Sequence, residues 1–392
     1  MKLDDDIAQL LWVGFEGQHA PDPKYGATVL FKRNLVLDGD GRCDLGALVA
    51  LCETLRAGGG LVAIDQEGGR VQRVKEPATV WPPMMAFDHH GSRFAGHDRV
   101  ADDTGLAEQV GRAMGDELRA LGIDIDFAPV LDVHTNSANP IIGDRAFGRD
   151  AETVSRRALA FARGLAAAGV LACGKHFPGH GDTATDSHLE LPRIDHAWPR
   201  LETVELAPFA AASRGAERSI ASAGEAGAAA SRGAERSIAS AGEAGARAHA
   251  LPMIMTAHVV FAALDTDRPA TLSRAVVTGL LRERFGYSGV IVSDDLDMKA
   301  IAATMGADVA AVAAIRAGCD ALLLCRDRDN QLLAEEGLRN AAETDSELRR
   351  RIGESAARIR AMKQAHAQAA ARPSLDVVGS AAHRALAQRL AS

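Results

Sequence analysis

Residues 151–182 read AETVSRRALAFARGLAAAGVLACGKHFPGHGD, and the order of residue types in this stretch sets the fold. Apolar positions recur at helical spacing over Ala151–Ala168, which predicts an amphipathic helix. Gly169 follows, where a helix end favours a positive φ. Val170–Cys173 is a short run of uniformly apolar residues, as expected of a parallel strand covered on both faces. Polar residues begin at Lys175 and continue through a Gly/Pro-rich loop to Asp182. Helix, glycine, buried strand and polar loop in that order make the unit of a parallel α/β fold, with its chemistry at the C-terminal end of the strand.

The same unit recurs in both directions. Apolar runs at Leu11–Phe15, Thr28–Phe31, Leu61–Ile64, Ile123–Val130, Met253–Val260, Val290–Val292 and Ala321–Cys325 predict seven further strands. Helical patterns at Asp44–Ala57, Thr104–Leu121, Arg274–Phe285 and Val309–Ala317 separate most of them, and Gly122, Gly286 and Gly318 follow three of these. Eight strands alternating with helices predict an α/β protein with a single (β/α)8 TIM-type barrel over residues 1–370. The first connection is short and irregular. Ser346–Gln368 reads as an outer helix with Ser346 as its N-cap. Residues 371–392 read as a loosely docked helical tail.

Composition sets bounds on function. With 47% hydrophobic and 24% charged residues, the 392-residue chain is expected to fold around a substantial core. A net charge of −8 and no basic run argue against nucleic acid or an anionic membrane as partner. No apolar stretch approaches the roughly 18 residues of a membrane span. The acidic start Met1–Asp6 is unlike a secretory signal, so the expected location is the cytoplasm. Five cysteines without a CxxC pair are expected to be free and buried. Aromatic residues make up only 4% of the chain, which favours a small ligand over a long sugar cleft.

One segment breaks the pattern. Residues 210–227, AAASRGAERSIASAGEAG, are repeated without change at 228–245. The period of 18 is five helical turns, yet each copy holds three glycines and a single large aliphatic (Ile220, then Ile238), too little for a packed face. The duplication is expected as an insert between strands 5 and 6, on the face of the barrel away from the chemistry.

Polar residues gather after the strand runs: Asp65–Arg70, Asp132, Lys175–Asp182 with Asp186 and His188 beyond, Thr256 and His258, and Ser293–Asp295. A single charged residue after a strand is often a helix cap, but five such clusters around one rim point to a site. Asp294 follows a short buried strand, where a carboxylate is held rigidly enough to act as a nucleophile; alternatively, one of Ser293, Asp294 and Asp295 caps the next helix. In Asp186-Ser187-His188 the carboxylate can orient the imidazole, which can donate and accept a proton near neutral pH. Lys175 and His176 can bind a polar ligand or form a structural ion pair. Arg70, Arg73 and Arg145 add donors. Gly169–Lys175 matches GxxxxGK, but His176 stands where a phosphate loop needs Ser or Thr. His176, His180, Asp182 and His188 are metal-ligand types, which leaves a metal-dependent barrel hydrolase as an alternative, although no HExxH or HxH pair is present.

Three segments together resemble glycoside hydrolase family 3, in particular its bacterial β-N-acetylglucosaminidases of peptidoglycan recycling. They are AIDQEGGRVQRV (63–74), GKHFPGHGDTATDSHLELP (174–192) and GVIVSDDLDM (289–298), supported by FAPVLDV (127–133) and IIGDRAFG (141–148). The resemblance implies Asp294 as nucleophile and His188, backed by Asp186, as acid/base. It implies Asp65, Arg73, Arg145, Lys175 and His176 as ligands of the N-acetylglucosamine unit, with retention of configuration and neither metal nor cofactor. The implied partner is a small muropeptide substrate, bound by a monomer. The tandem duplication departs from the family pattern.

Overall fold

The computed structural model describes residues 2–22, 24–88, 99–183, 191–214, 251–369 and 371–392. Eight parallel strands form a closed barrel: β1 (Leu11–Val13), β2 (Ala27–Leu30), β3 (Leu61–Ile64), β4 (Ile125–Asp126), β5 (Leu171–Phe177), β6 (Met253–Thr256), β7 (Val290–Asp295) and β8 (Ala321–Leu324). Each pairs with its neighbours in chain order, and β1 closes on β8 with Leu11 opposite Leu322. The barrel is the expected (β/α)8 architecture, with helices outside it.

The strand limits differ from the sequence expectation where polar residues continue a ladder. β5 runs to Phe177, so Lys175 and His176 lie on the strand and not after it. β7 likewise carries Asp294 and Asp295 as its last residues. β4 is shorter than its apolar run, and the segment beyond it contains Pro129, which has no N–H to give to a ladder. Gly122, Gly169, Gly286 and Gly318 all have positive φ, as helix ends require.

Outside the barrel, helix Arg99–Ala120 packs on helix Ala151–Ala167. A Cβ at Gly111 would collide with the backbone of Phe161, and one at Gly164 with the backbone of Glu108. The two glycines therefore weaken their helices by about 1 kcal/mol each but allow backbone-to-backbone contact. Helix Ser346–His366 is capped by Asp345, which accepts from Leu348 N, and not by Ser346, which is the first helical residue. A helix not foreseen from the sequence, Lys2–Leu10, lies against it. Asp320, fully buried before β8, accepts hydrogen bonds from Ser355 (2.9 Å), Arg351 (3.0 Å), Arg358 (2.6 Å) and the amide of Ile291 (2.9 Å). The C-terminal helix Ala381–Ala391 is more firmly seated than expected: Leu390 is fully buried, and buried Glu117 accepts from Gly379 N and meets His383 Nδ1 at 2.9 Å. All five cysteines are buried and free.

Most of the duplicated segment, from Gly215 on, lies outside the described residues. Its approach and exit are described. Helix Ala207–Arg214 leads in, Leu251 leads out, and Leu251 N donates to Ala212 O at 3.0 Å. The chain thus leaves and returns at one point before β6, remote from the C-terminal rim. Deletion of residues 228–245 should leave kcat within about threefold of the full chain; a steady-state assay of the shortened protein at matched Tm checks this.

Candidate active site

A cavity of about 450 Å³ opens at the C-terminal ends of the strands. Val29, Phe127, Met255 and Leu323 line it with apolar surface. Asp65, Arg73, Arg145, Lys175, His176 and Asp294 all reach it, so six of the eight site residues expected from the sequence come together. The other two, Asp186 and His188, lie outside the described residues.

The polar wall is a chain of alternating charges. Arg73 Nη2 donates to Asp65 Oδ2 (3.0 Å), and Lys175 Nζ donates to Asp65 Oδ1 (2.7 Å). Lys175 Nζ also meets Glu67 Oε1 at 2.6 Å. Arg145 grips Glu67 with two bonds of 2.7 Å, through Nε and Nη2, the strong fork geometry. His176 Nε2 lies 3.5 Å from Arg145 Nη2, and His176 Nδ1 lies 2.7 Å from Asp132 Oδ2. Asp132 also accepts the amide of His180 at 2.6 Å, which ties the strand end to the loop that follows.

Each pKa direction follows from this pairing. Burial alone would raise the Asp65 carboxyl, but Lys175 and Arg73 hold it well below the usual carboxylate range. Burial likewise opposes ionisation of Glu67, and Arg145 with Lys175 brings it down to about 2. Burial works against charge on Lys175 too, yet Asp65 and Glu67 raise its pKa. The three stay charged at neutral pH. Asp132 is lowered against its burial by His176, so it accepts, and Nδ1 of His176 carries the hydrogen. Burial, reinforced by His176, pushes His180 down to about 4, which leaves it neutral. Its Nδ1 lies 2.6 Å from Thr183 Oγ1.

Asp294 has a different environment. It is half-buried at the end of β7, accepts the amide of Asp295 at 2.8 Å, and has no ion pair among the described residues. Its neighbour Asp295 is pushed up to about 7 by burial and by the Asp297 and Asp294 carboxylates. Asp295 does not cap the following helix, whose N-cap is Met298. Its carboxylate binds the amides of Asp297 and Cys325.

The structure also adds residues and removes others. Glu67 and Asp132, which the sequence placed among the polar clusters but gave no role, complete the charge network. Their signal was a deficit of counter-charge: among the expected sugar ligands, Arg73, Arg145 and Lys175 stood against Asp65 alone. Arg70 turns outward to Asp144 (3.1 Å) and to loop carbonyls next to Arg145, a structural role. Of the four metal-ligand types, His176 and His180 are engaged as above, and Asp182 binds Thr135 (2.7 Å) and His196. Among the described residues no group of three His, Cys, Asp or Glu is arranged to hold a metal. GVLACGK is mostly strand β5, not a phosphate loop.

A (β/α)8 barrel whose mouth holds a carboxylate with no ion pair among the described residues, beside a fixed set of donors and acceptors, has the frame of a hydrolase-type site. The profile of the glycosyl hydrolase family 3 N terminal domain matches residues 3–222 and 243–362, and the chain belongs to that family. The match is interrupted inside the duplicated segment. The beta-hexosaminidase of Tolumonas auensis is 37% identical over 321 residues, 81% of this chain and 80% of the relative. A family 3 beta-N-acetylglucosaminidase from Paenibacillus sp. str. FPU-7 superposes with a TM-score of 0.81 at 34% identity, over 100% of this chain and 68% of its own. NagZ from Neisseria gonorrhoeae, solved in complex with N-trifluoroacetyl-D-glucosamine, superposes with a TM-score of 0.70 at 30% identity, over 98% of both chains.

Proposed function

We propose that the protein is a retaining exo-β-N-acetylglucosaminidase that removes terminal β-linked N-acetylglucosamine from peptidoglycan fragments of the GlcNAc-anhydroMurNAc-peptide type. The observation that carries this reading is the contrast between two kinds of carboxylate in one cavity. Asp65 is ionised and clamped by Lys175 and Arg73, as a hydroxyl-binding group should be. Asp294 is mounted on a strand end and has no ion pair among the described residues, as a nucleophile should be.

In this mechanism Asp65, Arg73, Arg145, Lys175 and His176 hold the sugar. His188, oriented by Asp186, protonates the glycosidic oxygen as Asp294 Oδ attacks the anomeric carbon. The aglycone leaves as an alcohol, with the sugar joined to Asp294 as a glycosyl ester. His188 then takes a proton from water, whose oxygen attacks the same carbon and frees Asp294. Two displacements retain the configuration. No metal or cofactor enters these steps. A cavity of about 450 Å³ suits one terminal unit and not a bound chain. The enzyme would act as a monomer in the cytoplasm.

The test is hydrolysis of 4-nitrophenyl β-N-acetylglucosaminide beside the β-glucoside. The first should be preferred by at least about 10²-fold in kcat/KM, since groups built to bind an acetamide are left unpaired by a substrate without it. The β-anomer should be the first product by NMR. Equal rates, or the α-anomer, would refute the assignment.

A further inference from the structure

Strand β7 carries an extra residue where Asp294 emerges. Val292 faces Ala321 and Asp295 faces Leu323, so three steps on β7 match two on β8. Such a bulge breaks the ladder locally and can re-aim a side chain. It also takes backbone acceptors away from the amides of the partner strand. Side chains of β7 and the turn after it replace them. Leu323 N donates to Ser293 Oγ (3.0 Å), Cys325 N to Asp295 Oδ1 (3.1 Å) and Arg326 N to Asp297 Oδ2 (2.8 Å). Residues 293, 295 and 297 thus stitch the bulged segment to the end of β8, and Asp294, with Asp295 beside it, lines the cavity.

Asp295 is the centre of this seam. Its Oδ1 also accepts Asp297 N (3.1 Å). Its carbonyl lies 3.0 Å from His258 Nε2, and because a carbonyl only accepts, that nitrogen carries the hydrogen. His258 is itself fixed through Nδ1, 2.9 Å from Thr271 Oγ1. Finally, the Asp295 amide donates to Asp294 Oδ1 (2.8 Å). The backbone N–H, the backbone C=O and one carboxylate oxygen of this residue are all engaged, and the N–H holds the reacting carboxylate directly.

We propose that Asp295 is a positioning residue, whose side-chain oxygen locks the β7 bulge so that the Asp294 carboxylate meets the anomeric carbon. The proposal rests on the nucleophile assignment above. Its chemical content is an oxygen acceptor, not a charge, so Asp295→Asn should keep most of the function that Asp295→Ala loses. A misplacement of about 1 Å at a reacting atom costs about 10²-fold in rate, while ground-state binding through Asp65, Lys175 and Arg145 is untouched.

The experiment measures kcat and KM for 4-nitrophenyl β-N-acetylglucosaminide and the Kd of N-acetylglucosamine for D295A, D295N and D294N. The expected result is a kcat about 10²-fold lower in D295A, with Kd within threefold of the parent and D295N recovering to within about tenfold. A D295A kcat within threefold of the parent overturns the proposal. So does a D295N as impaired as D295A. Should D295A not fold, Ser293→Ala replaces it: a kcat about tenfold lower at unchanged Kd supports the seam, and an unchanged kcat overturns it. If D294N keeps its turnover, the nucleophile assignment itself fails. If D294N is inactive while D295A is normal, only the positioning role is lost.

Discussion

Asp294→Asn should lower kcat by at least about 10³-fold on every β-N-acetylglucosaminide, with almost no change in stability. The two halves of this expectation come from the same observation. Asp294 has no ion pair among the described residues and accepts one amide hydrogen bond, which the side-chain oxygen of asparagine can also accept. The substitution therefore strands no buried charge, and Tm should move by little more than a surface change would. What is lost, on the proposed assignment, is the anionic oxygen that forms the bond to carbon. A His188→Ala variant should behave differently, because a proton donor matters in proportion to the basicity of the leaving group. Its loss, about 10²–10⁴-fold on unactivated substrates, should shrink on 2,4-dinitrophenyl glycosides, whose leaving group needs no proton. An Asp294→Asn protein that keeps near-normal kcat, or that loses its rate only on unactivated substrates, would exchange or abolish the two roles.

The elements visible in the sequence were those fixed by hydrophobic burial. Each barrel strand announced itself as an apolar run, and four glycines after helical stretches do adopt positive φ. Four of the residues that the sequence placed in the cavity are there because they follow such runs: Asp65 after β3, and Lys175, His176 and Asp294 where β5 and β7 turn polar. The strand ends were hidden for the same reason. Polarity reads as the end of a strand, yet at a barrel mouth the ladder continues while its side chains turn to the ligand, so β5 and β7 proved longer than their apolar cores. The roles of Glu67 and Asp132 were hidden because counter-charges are set by spatial neighbours 78 and 44 residues distant along the chain. Asp345 took the cap from Ser346 because its carboxylate reaches Leu348 N from one residue further back.

Lys175→Met should affect both stability and catalysis, and its effect should grow as pH rises. Lys175 is buried between Asp65 and Glu67, at 2.7 and 2.6 Å. Methionine fills similar volume but leaves two buried carboxylates sharing fewer cations: Asp65 keeps Arg73 and Glu67 keeps Arg145. Breaking a buried pair in this way costs about 3–5 kcal/mol. In the parent protein both carboxyls sit below their unfolded values, so their contribution to stability is complete above about pH 4–5 and is lost only as acid reaches the folded values, about 2 for Glu67. Without Lys175, burial is no longer overcome to the same extent, and both folded values move upward. The variant can then relieve its strain by taking up protons, and the deficit in Tm relative to the parent should be larger at pH 8 than at pH 5. The catalytic loss should show mainly in KM, because in the proposed site the sugar loses a donor that acts in ground and transition states alike. A Tm difference that stays constant across this range would mean that Lys175 fills space without balancing charge, and the alternating network would not be what keeps Asp65 ionised.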